Sequence, residues 1–529
     1  MKRAVSGIVL MLLLTSTLLS AFNIQLAKSE WTGTVYIRAD GSIDPSGAPI
    51  ITYDNITYTL TGNITSEADG IVVERDNIVI DGAGYMLEGT GSGSGIDLSG
   101  RTNVTVQNIQ IKNFWYGICL YYSSNNTICG NTIANNDYGV QLLSSSNNSI
   151  SGNTFTYDGL AVWDSYRNVV EDNTVNGKPL VYLEGVVDQR VEDAGQVILV
   201  NCSGIRVENL NLSRTSVGVQ LWKTNNTIIS GNNITKNMGG ILLTESSNNT
   251  ISRNDITNNM EGVGLVCSSN NNTISGNNLK NNKDSIRLSD SSNNNIISGN
   301  NLTNSEYGIC FYGSSNNFVY HNNFIGNSEQ VQSYGSENVW DDGYPSGGNY
   351  WSDYNGTDFR WGCGQDEAGS DGIGDVAYEI DADNIDRYPL MAPFNTFDAG
   401  TWNGQECNIG VVSNSTVSNF QLNKTLKTIS FNVSGVEGTT GFCRITIPNI
   451  IVQDLWHGNY TVLFNGEPWP YRNWTDTTKT YIYVNYTHSE HQITIIPDFP
   501  SAIILPLFIS FSILAIVFAR KRFPKSLKT

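Results

Sequence analysis

The sequence predicts an all-β protein in which a right-handed parallel β-helix solenoid is followed by a small β-sandwich domain and one C-terminal transmembrane helix. Three observations carry this prediction. A phrase made of an apolar residue, two small or polar residues, an asparagine, any residue and a second apolar residue recurs about every 22 residues from Val106 to Phe324, which is a solenoid period. A Gly-Ile-x-Leu type phrase recurs in constant phase with it. Apolar residues in both phrases lie two apart, as in a β-strand, without a helical stripe.

The recurring asparagine predicts an inward-facing ladder. Short strands bury an apolar face only by stacking on the same strand one turn later, and this makes a parallel β-helix. At a tight inward bend, asparagine accepts left-handed backbone geometry and can hydrogen-bond the asparagine of the next coil. The asparagines expected in the ladder are Asn131, Asn153, Asn173, Asn232, Asn254, Asn277, Asn300 and Asn322.

Composition limits the function classes. Of the 529 residues only 15% are charged, and the formal net charge is -19. Because a nucleic-acid-binding protein needs a basic groove, nucleic acid is not an expected partner. The eight cysteines include no Cys-x-x-Cys pair, so neither a disulfide scaffold nor a cysteine metal site is predicted.

The amino-terminal part is predicted to direct export. Residues 1–28 read as a signal peptide, because Lys2 and Arg3 precede an apolar run that begins at Ile8. A first transmembrane helix is the other interpretation, but serine and threonine residues interrupt the run. Residues 29–95 are predicted to form the N-terminal cap and the first coils, since an open solenoid end would expose its core and its strand edges.

Residues 96–330 contain the β-helix repeats, with an insertion at 177–203 that widens the spacing from Asn173 to the next copy at Leu210 to 37 residues. Insertions leave a solenoid as loops on one face, and that face is often functional. Charged residues are concentrated here. The ligand-binding candidates of the insertion are Asp188, Arg190 and Glu192.

One position past each apolar slot, the sequence predicts an outward row of side chains. Its members are Gln107, Cys129, Ser151, Glu171, Glu208, Ser230, Ser252, Ser275, Ser298 and Tyr320. In this row Glu171 and Glu208 are vertical neighbours, about one strand spacing apart. Such carboxylates could share a proton, bind a cation or act as an acid/base pair on a sugar, which makes them the catalytic candidates. The other interpretation is an exposed pair with water and Arg190 nearby.

Residues 331–396 are predicted to cap the solenoid. An aromatic segment is followed by an acidic stretch in which carboxylates lie close together around glycines, an arrangement that suits Ca²⁺, a hard ion that takes six to eight oxygen ligands. The candidate ligands are Asp371, Asp375, Asp381 and Asp383. An acidic loop held by its own hydrogen bonds is the alternative, because the strict EF-hand spacing is absent.

These motifs resemble the NosD-type β-helix family, in the form found in archaeal-type membrane-anchored surface proteins. The resemblance rests on the asparagine-rich coils, the Gly-Lys-Pro-Leu-Val-Tyr-Leu-Glu segment at 177–184 and the Gly-Gly-Asn-Tyr-Trp-Ser-Asp-Tyr segment at 347–354, and it covers roughly 69–393. Name-giving members are periplasmic accessory proteins for the copper site of nitrous oxide reductase, and the fold is shared with carbohydrate-binding and sugar-hydrolase β-helices. Copper needs soft or imidazole ligands. It is not expected here, since the histidines are dispersed and His321 is predicted to lie alone on the surface.

The carboxyl-terminal part is predicted to contain a sandwich and an anchor. Residues 397–497 alternate as short strands with Gly and Asn turns, which favours a β-sandwich that Cys407 and Cys443 could staple. Its Asn-x-Ser/Thr sequons are the best glycosylation candidates. Residues 501–519 carry no charge and precede Arg520-Lys521-Arg522, so they are predicted to span the membrane with a cytoplasmic tail at 520–529.

Three functions fit the sequence. The first is a membrane-anchored surface protein whose β-helix binds carbohydrate or another surface polymer, or acts as a spacer, without catalysis. A glycan hydrolase or lyase acting near Glu171 and Glu208 is the second. The third is a NosD-like accessory protein for a copper site.

Overall fold

The computed structural model describes residues 31–498, which form two compact units. Unit 1 comprises residues 31–249 and 256–266, and unit 2 comprises residues 250–255 and 267–498. The predicted signal peptide, membrane span and cytoplasmic tail lie outside the described residues. Within residues 31–498, no helix has the length and apolar character that crossing a membrane requires.

Unit 1 begins with a stack of β-helix coils built on three sheets, which are parallel except where Ile43–Asp44 and Ile50–Ile51 add antiparallel edge strands. The first sheet contains Trp31–Thr32, Ile64–Thr65, Met86–Glu88, Gln110–Lys112, Thr132–Ala134, Thr154–Thr156 and Thr174–Val175. The second contains Ile43–Asp44, Val35–Ile37, Ile71–Val73, Ser94–Asp97, Tyr116–Tyr121, Tyr138–Leu143 and Leu160–Trp163. The third contains Ile50–Ile51, Thr57–Leu60, Ile78–Asp81, Val104–Gln107, Thr127–Cys129, Ser149–Ser151 and Val169–Glu171.

The chain reverses direction at Asn176 and Gly177. Both residues have positive φ, 52° and 79°, as in the two-residue Asn-Gly hairpin turn. Thr174 and Val175 therefore pair antiparallel with the start of the next strand, Lys178–Glu184. That strand pairs parallel with Gln196–Val200 and begins a second stack. The prediction that the insertion forms a loop is therefore wrong, because its residues form the first strands of this second stack.

The second stack of unit 1 repeats the same coil. Its strands are Lys178–Glu184, Gln196–Val200, Val217–Trp222, Gly239–Thr244 and Glu261–Val266 in one sheet, Arg190–Val191, Arg206–Glu208 and Ile228–Ser230 in another, and Asn211–Ser213 with Asn233–Thr235 in a third. Buried aliphatic side chains from every strand of this stack fill the interior, so the apolar spacing of the sequence sets the fold.

Two buried glutamines cover an open sheet edge where the stacks meet in unit 1. The Gln196 side chain accepts from the Leu160 N–H at 3.0 Å and donates to the Leu160 carbonyl at 2.7 Å. Gln220 does the same at Val162, at 3.0 and 2.7 Å. Each amide thus replaces the missing neighbouring strand, and this satisfies backbone groups whose burial would otherwise be costly.

Unit 2 contains further coils and a capping segment. The coil strands are Thr250–Ser252, Thr273–Ser275, Ile296–Ser298 and Phe318–Tyr320; Asn278–Lys280, Asn301–Thr303, Asn323–Ile325 and Tyr350–Trp351; and Asp284–Ser289, Tyr307–Tyr312 and Glu329–Tyr334. Asp255–Thr257 belongs partly to each unit. Two hairpins form the cap, Arg360–Trp361 with Glu367–Ala368 and Tyr378–Asp381 with Asn384–Asp386.

The predicted asparagine ladder is confirmed: all eight asparagines are buried. In unit 2 each one binds the next, from Asn254 through Asn277, Asn300 and Asn322 to Asn349. A second ladder runs through Asn272, Asn295, Asn317 and Asn338. Sequence analysis did not predict this second ladder, although the Ser-Ser-Asn-Asn repeat marks it.

The cap strand Asn384–Asp386 ends both ladders of unit 2. Asn384 Oδ1 accepts from the Asn338 N–H and from Trp340 Nε1–H, both at 3.0 Å. Asp386 Oδ2 accepts from the Asn349 N–H at 2.7 Å and from Trp351 Nε1–H at 2.9 Å. The last donors of the solenoid are therefore satisfied by two side chains of one short strand.

The predicted sandwich consists of two five-stranded antiparallel sheets around one apolar core. One sheet contains Phe394–Trp402, Gln405–Ser413, Thr440–Pro448, Lys479–Thr487 and Arg472–Thr475, and the other contains Thr416–Asn423, Thr428–Ser434, Glu490–Pro497, Tyr460–Phe464 and Glu467–Pro468. One helix, Asn449–Trp456, packs on this core. The predicted disulfide is wrong, because Cys407 and Cys443 are both free.

Candidate functional site

The predicted catalytic pair does not form. Glu171 lies in the last strand of the third sheet of the first stack, whereas the strand of Glu208 pairs with Arg190–Val191 in the second stack. The expectation that Glu171 and Glu208 are vertical neighbours is therefore wrong. The reversal at Asn176 and Gly177 is the reason, since it starts new sheets between the two residues.

The insertion residues are only partly brought together. Arg190 Nε lies 3.6 Å from Glu208 Oε2, and Arg206 Nη1 lies 3.3 Å from Glu208 Oε1. Asp188 and Glu192 are exposed. Glu208 is thus paired with two guanidinium groups, as expected for a structural surface carboxylate rather than for one half of a catalytic dyad.

Three of the four carboxylates predicted to bind Ca²⁺, those of Asp371, Asp375 and Asp381, accept hydrogen bonds from backbone N–H groups. Asp375 accepts from the N–H groups of Phe359 and Arg360, each at 2.9 Å, and Asp381 accepts from the Asp383 N–H at 2.8 Å. Asp371 is fully buried, and this burial raises its pKa. Across residues 31–498, no three His, Cys, Asp or Glu side chains form a metal-binding group. The hydrogen bonds of Asp375 and Asp381 are those expected of an acidic loop held by its own hydrogen bonds, and calcium binding stays a prediction.

A polar groove of about 700 Å³ lies within unit 2. Its floor contains the predicted outward row: Ser252 pairs in register with Ser275, Ser275 with Ser298 and Ser298 with Tyr320. Parallel strands are about 4.8 Å apart, so the groove presents hydroxyl groups at that interval. The first hairpin of the sandwich forms the opposite wall.

The groove wall contributes charged and aromatic groups. Asp398 Oδ1 accepts from the Gly400 N–H at 2.7 Å, and Glu406 Oε2 lies 3.7 Å from Arg253 Nη2 across the groove. His321 is buried, with its ring stacked on Phe394 at a centroid distance of 4.3 Å, so its predicted surface position is wrong. Burial lowers the pKa of His321 to about 4.

The histidines of the described residues do not fit a copper centre. The Nε2 atom of His321 lies 3.0 Å from the Ser346 carbonyl. Thr439 Oγ1 at 2.6 Å and Ser415 Oγ at 2.8 Å occupy both nitrogens of His488, while Asn465 and Ser489 occupy those of His491. His457 is exposed at the end of the helix. Copper would need imidazole or sulfur ligands that converge on one point.

We expect the purified full chain to retain far less than one copper ion per chain after loading with copper and extensive dialysis. The physical reason is that the imidazole nitrogens are dispersed and hydrogen-bonded. Inductively coupled plasma mass spectrometry checks the metal content. Stoichiometric copper that is lost on His321→Ala or His488→Ala would contradict the expectation.

Comparison with known proteins identifies a family. The sequence model of the family described as "Periplasmic copper-binding protein (NosD)" matches residues 32–182 and 183–356. The boundary between the two matches falls in the strand Lys178–Glu184, just after the chain reversal. The first match therefore covers the first stack of coils, and the second match begins within the first strand of the second stack.

Comparison with solved structures finds similar chains at low identity. A mutant of the periplasmic alginate epimerase AlgG is 14% identical, with 54% of this chain and 78% of that chain covered and a TM-score of 0.23. The A-module of the Azotobacter vinelandii mannuronan C-5 epimerase AlgE6 is 16% identical over 60% and 93%, with a TM-score of 0.23. The Dettilon tailspike protein is 10% identical over 88% and 86%, with a TM-score of 0.24. Comparison with curated protein sequences gives no match.

Proposed function

The chain belongs to the NosD family, and from this premise we propose that it is a membrane-anchored surface protein whose groove in unit 2 binds a polyhydroxyl polymer without catalysis. The family description assigns its members to the periplasm, outside the cytoplasm. The apolar segment 501–519, followed by three basic residues, supports the anchor. A basic flank of this kind favours a cytoplasmic tail and an external β-helix.

The observation that carries this proposal is the groove itself. Its volume of about 700 Å³ lies within the range of ligand sites, which is about 300–1,000 Å³. Serine hydroxyls can both donate to and accept from the hydroxyls of a glycan. Tyr320 adds a flat apolar ring at the end of this row. The repeat of the coils suits a linear polymer, because successive units can meet equivalent hydroxyl groups.

The existing contacts of the two groove carboxylates, Asp398 and Glu406, support binding of a glycan rather than its cleavage. General acid/base chemistry on a glycan uses two carboxyl groups that flank the scissile bond. Asp398 already accepts from its own turn, and Glu406 is opposite Arg253. A glycan hydrolase or lyase centred on Glu171 and Glu208 lacks support, since those residues lie in different stacks.

Tyr320→Ala tests the groove. We expect the affinity of the full chain for its best neutral glycan on an array to fall about tenfold, because one stacking ring contributes on the order of 1–2 kcal/mol at a binding site. The measurement is fluorescence polarisation with that glycan as the labelled probe, together with an assay for released reducing ends. No release is expected.

Tyr334→Ala is the matched control, because it removes a 60% exposed tyrosine of unit 2 that does not line the groove. Its affinity should stay within about twofold of the parent protein. Equal loss in both variants, or glycan cleavage by the parent protein, would contradict the proposal.

A further inference from the structure

A second concave site lies in unit 1, where the two stacks of coils meet. This cleft has a volume of about 380 Å³, and the side chains used below are Asp137, Tyr157, Arg214 and Lys236. Asn176 ties its walls together: its side chain accepts from the Tyr157 N–H at 2.9 Å and donates to the Ser213 carbonyl at 2.8 Å. The cleft is therefore preformed by the hydrogen bonds of the reversal turn.

The cleft side chains break a rule that the rest of their column obeys. From Asn113 onward in unit 1, the residue that follows each strand of this edge has left-handed backbone geometry, and asparagine occupies four of these positions: Asn113, Asn135, Asn176 and Asn258. The exceptions are Tyr157, Arg214 and Lys236, with φ of 63°, 53° and 59°. All three line the cleft. Side chains held in unfavourable backbone geometry are often found at functional sites.

Two cations of the cleft have no counter-ion. Neither Arg214 nor Lys236 forms an ion pair with another residue of the described chain. They lie on successive coils, since the Arg214 N–H donates to the carbonyl of Thr235, which precedes Lys236. The Arg214 guanidinium lies 4.6 Å from the centroid of the Tyr157 ring, which orients it. In a protein with a net charge of -19, this makes a local positive site.

We propose that this cleft binds the carboxylate of an acidic sugar, such as a uronate unit of an extracellular polysaccharide. Arginine presents a planar fork that suits a carboxylate, and lysine adds a second positive charge about one strand spacing away. The ring of Tyr157 is 48% exposed and offers an apolar surface to the sugar. Asp137, on the same wall, can accept from a sugar hydroxyl and disfavours a more highly charged ligand such as a phosphate.

The test is binding of uronate oligomers to the full chain by isothermal titration calorimetry. The probes are oligomers of galacturonate, glucuronate and mannuronate, each compared with its methyl ester, which keeps the ring and removes the charge. We expect at least one uronate oligomer to bind about tenfold more tightly than its ester. Arg214→Gln and Lys236→Gln should each weaken that binding about tenfold, as for a charge-assisted hydrogen bond.

Lys223→Gln is the matched control. Lys223 also lies over an aromatic ring, 4.6 Å from the centroid of Trp222, but it does not line the cleft, so this change removes the same charge elsewhere in unit 1. It should alter the affinity less than twofold. The proposal is overturned if no uronate oligomer binds, if the esters bind equally well, or if the control variant weakens binding as much as Arg214→Gln. It is likewise overturned if inorganic phosphate at equal concentration displaces the oligomer.

This inference does not depend on the groove of unit 2, because the two sites share no residue. Tyr320→Ala should leave uronate binding unchanged, and Arg214→Gln should leave neutral glycan binding unchanged. Failure of one site is therefore distinguishable from failure of the other. Circular dichroism of every variant verifies that the β-helix is intact.

Discussion

Asn300→Ala is expected to lower the free energy of unfolding of unit 2 by about 4 kcal/mol, because it leaves several buried hydrogen-bonding groups unpaired. Asn300 is fully buried. Its Oδ1 accepts from the backbone N–H and the Nδ2–H of Asn277, at 3.0 and 2.9 Å. Its Nδ2 donates to the Ile274 carbonyl and to Asn322 Oδ1, both at 2.9 Å. Alanine removes all four bonds and leaves a space that no neighbour fills.

Urea denaturation of the full chain, combined with hydrogen exchange of the Asn277 amide, measures this effect. Asn278→Ala is the control, because Asn278 is exposed and its side chain makes one surface bond, to Asp255 at 2.8 Å. It should cost less than about 1 kcal/mol. Equal stabilities of the two variants would show that the interior ladder contributes little to unit 2.

The coils could be predicted from the sequence because their signals are local and repeated. The spacing from Ile297 to Asn300 and Leu302 recurs in eight copies. Each of these coils must bury an apolar face and also turn inward at a tight bend. One physical solution then satisfies all copies together. The same reasoning predicts that Ser275 and Ser298 lie in one outward row, and the groove of unit 2 confirms the part of that row from Ser252 to Tyr320.

The reversal at Asn176 and Gly177 shows where a periodic interpretation fails. An Asn-Gly pair between two strand-like runs is the strongest short-range hairpin signal, yet the wider spacing was interpreted as an insertion into a continuous stack. The error moved Glu171 beside Glu208. The periodic interpretation also gives no role to Gln220, which is buried against a sheet edge. Such an edge is covered by residues that are distant in sequence, and no local pattern encodes that contact.

The candidate sites also depend on contacts that are distant in sequence. Tyr320 meets a wall contributed by Phe394 and its hairpin, and Tyr157 meets Arg214 from a different stack. The sequence does show where asparagine is replaced at the left-handed positions that follow the strands of this edge. The replacing residues are Tyr157, Arg214 and Lys236, and all three line the cleft.

Asp386 should make unit 2 less stable as the pH rises from about 4 to about 7. Burial raises the pKa of this carboxyl from 3.8 to about 7. Between these values the folded chain keeps a proton that the unfolded chain has lost, so raising the pH favours unfolding, and above the folded pKa the dependence ends. One such group contributes a slope of at most about 1.4 kcal/mol per pH unit. Burial also raises the pKa of Asp358 to about 7 and raises that of Asp371 in the same unit. The lowered pKa of His321 acts in the opposite direction, so the slope of the parent protein contains several groups, and only its difference from a variant reports on Asp386.

Asp386→Asn isolates the contribution of Asp386 to the pH dependence of stability, and the substitution is also expected to lower the stability itself. The carboxyl of Asp386 contacts N–H donors from Asn349, Trp351 and Tyr388, so an amide must turn its own NH₂ toward at least one of them. We expect a loss of about 2–3 kcal/mol and a pH slope smaller by about one proton. Asp383→Asn makes the same change of residue type in the exposed turn of the same hairpin and should change neither quantity. Urea midpoints across this pH range measure both the loss of stability and the pH slope. If Asp386→Asn keeps the slope of the parent protein, Asp386 is not the group that binds the proton.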